Sequence, residues 1–594
     1  MLKKQYKIEM PIISSACFII SLAVVLFIQG SIPFVSIPTL GQAVWTTGFS
    51  QSFANSSIFT IHATNFGNPE PSAISFGLAG AYPASLFIRL GLHPADAYSL
   101  MASIWFFVAF LGVWKIARAF KLSAIFCALT STLWLSMPIV WWHAKYSMIS
   151  MGISLLPLYF FMSLRILQCF GDSYKTLIRL AGLYLLMVII SVFMDGYSFM
   201  MFAVGSSIMG GYSFWRFPEN RRTIIKFSLP VQIISFSLAY FLYTSYIGVT
   251  KFKPSSLNFF RGWGTDLMFF SVPSQGVHWL WDSIGVSFAR NEHEQFGDAS
   301  VWATTFALPL IIFGIFSWWR VRRKSMFATG FLIVALFGFY MGMGPSLKLN
   351  SIKPEGVTAR GMAAEHAVLP SGNAWLSKHV PGFMNMRASY RWSAMGFLGL
   401  WFLIVLHLSI EQKNRFKWFF VCFTIFIIMS NMPDIKNKFL LDCRNRDSFH
   451  NIENSIVKDF NKVVSKGEMV SFLPYRNDFL VNYLASRTNI NSYNIGGDKN
   501  LFEARKHWPK TMALFKMGQI DKNFVPNVIQ LLVRGEVDAV VLPNIDLLWA
   551  AHHWPTPLKF RKQINSVVAK LSDSDLVEID ERTFYAIVRL RKNN

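Results

Sequence analysis

Charge is what this chain has least of. Asp, Glu, Lys and Arg make up 15% of its 594 residues, against about 25% in an ordinary soluble domain. Hydrophobic residues make up 53%, which excludes a typical soluble enzyme. Acids are scarcer than bases, 32 against 56, for a formal net charge of +24. The excess does not describe a nucleic-acid surface, because the basic residues cluster in short loops between apolar runs, where membrane topology places them. Cysteine is rare as well. Of the five, Cys17, Cys127, Cys169 and Cys422 fall in or beside apolar runs and Cys443 stands alone, which excludes a disulfide framework or a metal-ligand spacing. There is no phosphate-cradling glycine loop, zinc-protease helix motif or nucleophile elbow. No internal repeat or low-complexity tract is visible.

What the chain has instead is apolar runs near the roughly 20 residues that cross a bilayer. The reading is a mainly α, polytopic membrane protein of about eleven spans, near 11–30, 97–118, 122–142, 147–168, 178–194, 197–214, 226–246, 301–319, 326–343, 393–410 and 416–432. The first run, Ile12 to Gln29, lacks a small-residue cleavage site and reads as a retained anchor. Putting Lys3, Lys4 and Lys7 inside makes every short inner loop basic. Long outer segments then fall at 31–96, 247–300 and 344–392, within a membrane module of residues 1–432. In residues 433–594 charge and turn signals return, and β-rich runs at 468–474, 537–543 and 583–590 bracket helical stretches near 500–518 and 525–534. That order predicts a small outer α/β domain with a partly parallel sheet.

The acids draw attention because they are few. Glu70, between Pro69 and Pro71, is the single acidic side chain between Ser31 and Ala95. It is either a general base for an acceptor hydroxyl or a solvated loop residue. Asp195 in "VFMDGYSF" interrupts two apolar helices, as a site residue, a turn, or both. His143 and Lys145 in "WWHAKYS" fall on the same outer side and line a cavity or simply flank tryptophan anchors. Arg387 and Arg391 in "NMRASYRWSAMG" stand four apart, a spacing that shares one helical face. Two guanidinium groups on the outer side suit a lipid-linked phosphate, or lipid headgroups in general. Trp263, His278 and Trp281 in the second outer segment are either a sugar platform or interface anchors. Glu292, His293, Glu294 and Asp298 have no fixed ligand spacing and read as a solvated loop, and Asp573 and Asp575 as a solvated turn.

The layout resembles the GT-C superfamily of polytopic glycosyltransferases. "AISFGLAGAYPASLFIRLGLHPADAYSL" (73–100) is similar to the segment leading into the second span of bacterial members. "MRASYRW" and residues 471–500 resemble bacterial GT-C-like proteins, and phage-type O-antigen glucosyltransferases share the layout. The resemblance implies an inner-membrane enzyme, N-terminus cytoplasmic, that moves a sugar from a polyprenyl-phosphate donor to an envelope glycan such as O-antigen. It implies Glu70 as base, Asp195 orienting the acceptor or stabilising developing charge, and Arg387 and Arg391 on the donor phosphate. The family's acid is commonly Asp, often paired; here Glu70 stands alone. No cofactor or nucleic-acid partner is expected, and a divalent metal is left open. The rival readings are a transporter or flippase of a lipid-linked glycan and a non-catalytic envelope assembly protein.

Overall fold

The structure, a computed structural model, describes residues 11–146, 148–169, 171–248 and 254–591. Lys3, Lys4 and Lys7, on which the orientation was anchored, lie outside the described residues. The chain divides into two compact units. The first comprises Met1–Gly30, Ser103–Ser245 and Lys253–Phe439; the second comprises Ser31–Ala102, Tyr246–Phe252 and Leu440–Asn594.

The first unit is built around the helix Ser393–Glu411, whose residues are buried without a break from Ser393 to Leu408. An apolar helix buried on every side has no solvent-facing stripe to declare an orientation. Its packing rests on small residues. A Cβ added at Gly399 would lie 2.5 Å from the Phe331 carbonyl oxygen and 2.7 Å from the Ala335 nitrogen of the neighbouring helix Ala328–Gly342. Small residues permit such close approach where lipid removes the hydrophobic drive between helices. Phe331 and Phe402 stack at 4.4 Å beside this crossing, and Trp401 Nε1 donates to the Thr130 carbonyl at 2.9 Å.

Five helices are long and apolar enough to cross a membrane: Pro94–Ala119, Ile149–Leu167, Tyr174–Met194, Pro218–Ile247 and Ser389–Glu411. Two bent pairs, Ala124–Leu135 with Pro138–Lys145 and Lys417–Asn431 with Ile435–Phe460, raise the number to as many as seven among the described residues. Eleven spans were expected. Leu308–Val321 and Ala328–Gly342 are apolar but only 14 and 15 residues long, about 21–23 Å at 1.5 Å per residue, short of a core about 30 Å thick. The faces of Ile233, Ile234, Tyr240 and Phe241 are exposed and apolar. These helices place the protein in a membrane.

The second unit holds a helix that the sequence does not announce. Leu40–Asn55 is rich in Gln, Thr and Ser, yet Leu40 to Phe53 are all buried. It packs on Phe479–Thr488, where Gly48 lies against the Asn482 backbone, and Ser486 Oγ donates to the Gly48 carbonyl at 2.8 Å. Trp45 Nε1 donates to the Gly496 carbonyl at 2.9 Å. The segment 72–91, apolar but interrupted by Gly and Pro, contains the helix Leu78–Arg89. Four strands form the sheet: β1 Val470–Phe472, β2 Ala539–Pro543, β3 Val577–Glu581 and β4 Tyr585–Leu590. Their order is β1-β2-β4-β3. β1 and β2 run parallel, with Val470 opposite Ala539, and the other pairs are antiparallel. The partly parallel sheet is thus as read from the sequence. β3 escaped that reading because it is a charged edge strand, "VEIDE", the composition that blunts an open edge.

Asp478 is buried in this unit. Its Oδ2 accepts from the Arg476 amide at 3.0 Å and from Asn494 Nδ2 at 2.9 Å.

G399A forces the backbone contact at Phe331 and should cost about 1–3 kcal/mol, lowering the thermal midpoint in detergent. G211A, at a position with nothing within 4 Å, should leave the midpoint unchanged or raise it. Burial pushes the Asp478 carboxyl from 3.8 up to about 6. Between those values the folded protein holds a proton that the unfolded chain has released, so stability falls as pH rises from about 4 to 6. The difference between wild type and D478N, measured by denaturation of the full chain, should shrink over that window by up to about 3 kcal/mol and be flat above it.

Candidate functional site

The site lies in the first unit, where four stretches of chain meet. Asp195 is the first element. It ends the helix Tyr174–Met194 with extended backbone and caps the next, Gly196–Arg216, its Oδ2 accepting from the Ser198 amide at 2.8 Å. An acid at this joint satisfies an amide that the helix start leaves open; Gly196 is already the first helical residue, so Asp-Gly forms a helix cap and not the tight turn that the pair suggests. The carboxyl is also only 3% exposed. Burial pushes it above its ordinary value, while the Ser198 amide and the charge of Arg391 act the other way. Gly152 makes room for it: a Cβ there would come 3.0 Å from the Asp195 Cβ and 2.7 Å from Ser198 Oγ.

Arg391 is the second element. It belongs to a short 3-10 turn, Ser389–Trp392, that leads into the central helix. Its guanidinium is ringed by aromatic faces, Tyr197 at 4.8 Å, Tyr146 at 5.4 Å and Tyr390 at 5.6 Å. Such faces stabilise a cation without neutralising it. Nε also donates to the Tyr390 hydroxyl at 3.3 Å.

Tyr390 joins the third and fourth elements. Its amide donates to the Trp263 carbonyl at 2.8 Å. Its hydroxyl is 2.9 Å from His143 Nε2 and 2.7 Å from Ser300 Oγ. His143 Nδ1 lies 2.7 Å from the Ile139 carbonyl. That oxygen can only accept, so Nε2 is left as an acceptor, and one hydroxyl proton serves two acceptors. Ser300 Oγ in turn donates to Asp298 Oδ1. Asp298 caps the helix Ala299–Ala303 and accepts from Trp263 Nε1 at 3.0 Å. Trp263 stacks on Phe259 at 3.8 Å with planes 1° apart, and Arg387 stands 5.0 Å over Phe259.

The structure therefore brings Asp195, Arg391, His143 and Trp263 into one connected set. Arg387 and Arg391 do not share a helical face as their spacing suggested. The turn begins at Ser389, and the Ala388 amide is held by the Tyr197 hydroxyl at 2.8 Å, which leaves Arg387 outside it and exposed. Lys145 is exposed, with Nζ 4.1 Å over its own loop's Trp142. His278 and Trp281 pack elsewhere, against Phe306 at 4.8 and 5.7 Å, and His278 Nδ1 meets the Ser430 carbonyl at 3.2 Å. Burial pushes the His278 imidazole down to about 3. These are the contacts of an anchoring cluster. Glu70 belongs to the second unit. It is exposed at the tip of a hairpin closed by Ala63 and Ser72, which exchange two 2.8 Å backbone hydrogen bonds.

Sequence reasoning missed Tyr390, Tyr197, Ser300 and Lys348. Lys348 is fully enclosed, its Nζ donating to the Arg261 carbonyl at 2.7 Å and to that of Gly264. Burial pushes its ammonium from 10.5 down to about 7, with the charge of Asp266 opposing. It ties down the loop that carries Trp263. Nothing in "SLKLN" distinguishes it from an exposed lysine. Asp298 was read with Glu292, His293 and Glu294 as part of a solvated loop; it is instead bonded to Trp263 and Ser300, while Glu292 pairs with Arg360 at 2.5 Å. Among the described residues no group of three or more His, Cys, Asp or Glu side chains could hold a metal ion.

No protein-family model and no curated protein matches the sequence. Among solved structures, the chain is similar to ArnT from Cupriavidus metallidurans, described as bound to undecaprenyl phosphate. The TM-score is 0.50 and the identity 10%, over 97% of both chains. An oligosaccharyltransferase from Archaeoglobus fulgidus, tethered with an acceptor peptide, aligns at a TM-score of 0.47 and 10% identity over 91% of this chain and 70% of that one. The likeness to ArnT shows a shared fold and bears out, at that level, the GT-C resemblance read from the sequence.

The hydroxyl at the centre of the set is directly testable. Y390F strips His143 Nε2 of its partner while keeping the ring. It should cost about 1–3 kcal/mol, seen as a lower thermal midpoint. An unchanged midpoint would show that this network carries no stability.

Proposed function

We propose that the protein is a membrane glycosyltransferase that moves a sugar from a polyprenyl-phosphate donor to a cell-envelope glycan, O-antigen or lipopolysaccharide among them, at the periplasmic face of the inner membrane. The observation that supports this most is a buried carboxyl, Asp195, and a guanidinium, Arg391, gathered in one apolar body, the guanidinium 4.8 Å over the ring of Tyr197, two residues on from Asp195. Ionisable groups are costly there and are kept for function. The shared fold with a protein described as bound to a lipid phosphate points the same way.

The chemistry assigns each group a task. Arg391 receives the donor phosphate, for which a planar guanidinium is suited. The acceptor hydroxyl oxygen attacks the anomeric carbon, and the bond from that carbon to the phosphate oxygen breaks. The electron pair leaves with the lipid phosphate, whose added charge Arg391 stabilises. The acceptor proton passes to a carboxylate, and the anomeric configuration inverts. Asp195 has the environment of a working base, since burial raises its proton affinity above that of an ordinary carboxylate. Glu70, exposed and without an ion pair among the described residues, is the alternative base. Arg387 guides the approach of the phosphate, and Trp263 offers a face to the sugar. In this reading residues 433–594 belong to the periplasmic side, and the remaining apolar helices complete the spans that the five long ones begin.

Mass analysis of the envelope glycan from cells with and without the gene should show the loss of one sugar. In a reconstituted assay, D195N and R391A should each lower transfer by about a hundredfold or more at normal expression, and E70Q should lower it less. Unchanged glycan mass, or full activity in D195N and R391A, would remove the proposal. Activity lost in E70Q and kept in D195N would move the base to Glu70.

A further inference from the structure

The same unit carries a second feature, at the other end of its central helix. Arg391 stands just before the first residue of Ser393–Glu411. The 19 residues of that helix span about 28 Å, close to the hydrocarbon thickness of a bilayer. At its far end lies a cavity of about 290 Å³. Phe161, Leu164, Phe327 and Leu406 form its apolar wall, and Lys121, Lys324 and Lys413 stand at its rim. A neighbouring cavity of about 380 Å³ shares Lys121 and Lys413 and adds Lys417.

Lys121, Lys324 and Lys413 are exposed, and none has an ion-pair partner among the described residues. The nearby acid, Glu411, is taken by Arg320 at 3.1 Å and lies 3.7 Å from His407. Lys121 is also held in an unusual place. It has φ 64° at the end of the helix Pro94–Ala119, where its amide donates to Arg118 at 2.8 Å and that of Leu122 to Ala117 at 3.0 Å. This is the left-handed position that glycine fills without strain. Here a lysine fills it, and Gln412 pins it by donating to the Lys121 carbonyl at 2.8 Å and accepting from the Ser123 amide at 2.8 Å. Strained backbone kept in place by its surroundings is a mark of a working position.

We infer that this cavity seats the headgroup end of one anionic phospholipid from the leaflet that the lysine loops face. The phosphate lies among the three ammonium groups, and the first few methylenes of an acyl chain run along the wall from Phe161 to Leu164 and from Leu406 to Ile410, about one helical turn on each helix, the rest of the lipid remaining in the bilayer. Apolar depth with a basic rim at a membrane interface selects this chemistry over a zwitterionic lipid, whose own cation would meet the lysines. The site is separate from that of Asp195 and does not depend on the transferase reading.

The test uses the purified full chain, exchanged into lipid-free detergent. Phosphatidylglycerol, phosphatidylcholine and a polyprenyl phosphate are added in turn, with native mass spectrometry and thermal melting as readouts. Wild type should retain one phosphatidylglycerol at least tenfold more readily than phosphatidylcholine and should melt several degrees higher with it. K121Q/K324Q/K413Q should lose both effects while its lipid-free melting stays within a few degrees of wild type. If that variant does not fold, K121R/K324R/K413R should keep the preference and K413Q alone should weaken it. R391A should leave the preference intact. Equal retention of the two phospholipids, an unaltered preference in the glutamine variants, loss in R391A, or displacement of phosphatidylglycerol by the polyprenyl phosphate would each overturn the inference.

Discussion

A guanidinium and a carboxyl held among apolar helices are the constraint on which the first unit turns. Neither group is cheap to keep away from water. Three tyrosine faces and a hydroxyl surround Arg391, and a helix-start amide satisfies Asp195. Neither solution consumes the charge. A ring face leaves the guanidinium edge available for a planar oxyanion, and a carboxylate has about four lone-pair sites, so capping a helix start leaves capacity for another partner.

The surrounding architecture preserves that arrangement. The joint between Tyr174–Met194 and Gly196–Arg216 puts Asp195 at a helix start, and Gly152 lets a third helix close on it. The relay from His143 through Tyr390 and Ser300 to Asp298 fixes the turn that carries Arg391. The same Asp298 holds Trp263, and Lys348 braces the Trp263 loop from beneath. Because these ties run between segments far apart in the chain, the site is as rigid as the helix packing under it. That packing depends in turn on Gly399 and its neighbours along Ser393–Glu411.

Much of this was legible in the sequence, for identifiable reasons. Long apolar runs declare membrane helices by length alone, and an acid between two of them, Asp195, declares itself by contrast. β-branched runs such as "VDAVVLP" declare strands. What stayed hidden depends on partners distant in sequence. Leu40–Asn55 is buried through small and hydrogen-bonded polar side chains, so it shows no apolar period. Arg387 and Arg391 have the right spacing for one face, but a 3-10 turn starts between them. Tyr390 and Ser300 look ordinary until their hydroxyls are seen 2.7 Å apart. His278 and Trp281 have the residue types of a sugar platform and the contacts of an anchor.

The account stands on Arg391 as a phosphate anchor, and equilibrium binding tests that most directly. Titrating a polyprenyl phosphate into the purified protein should show saturable binding in wild type that survives in Y390F in weakened form. It should fall at least tenfold in R391Q, with that variant folded by its melting curve. Equal affinity in wild type and R391Q would contradict the account, whatever the protein's activity proves to be.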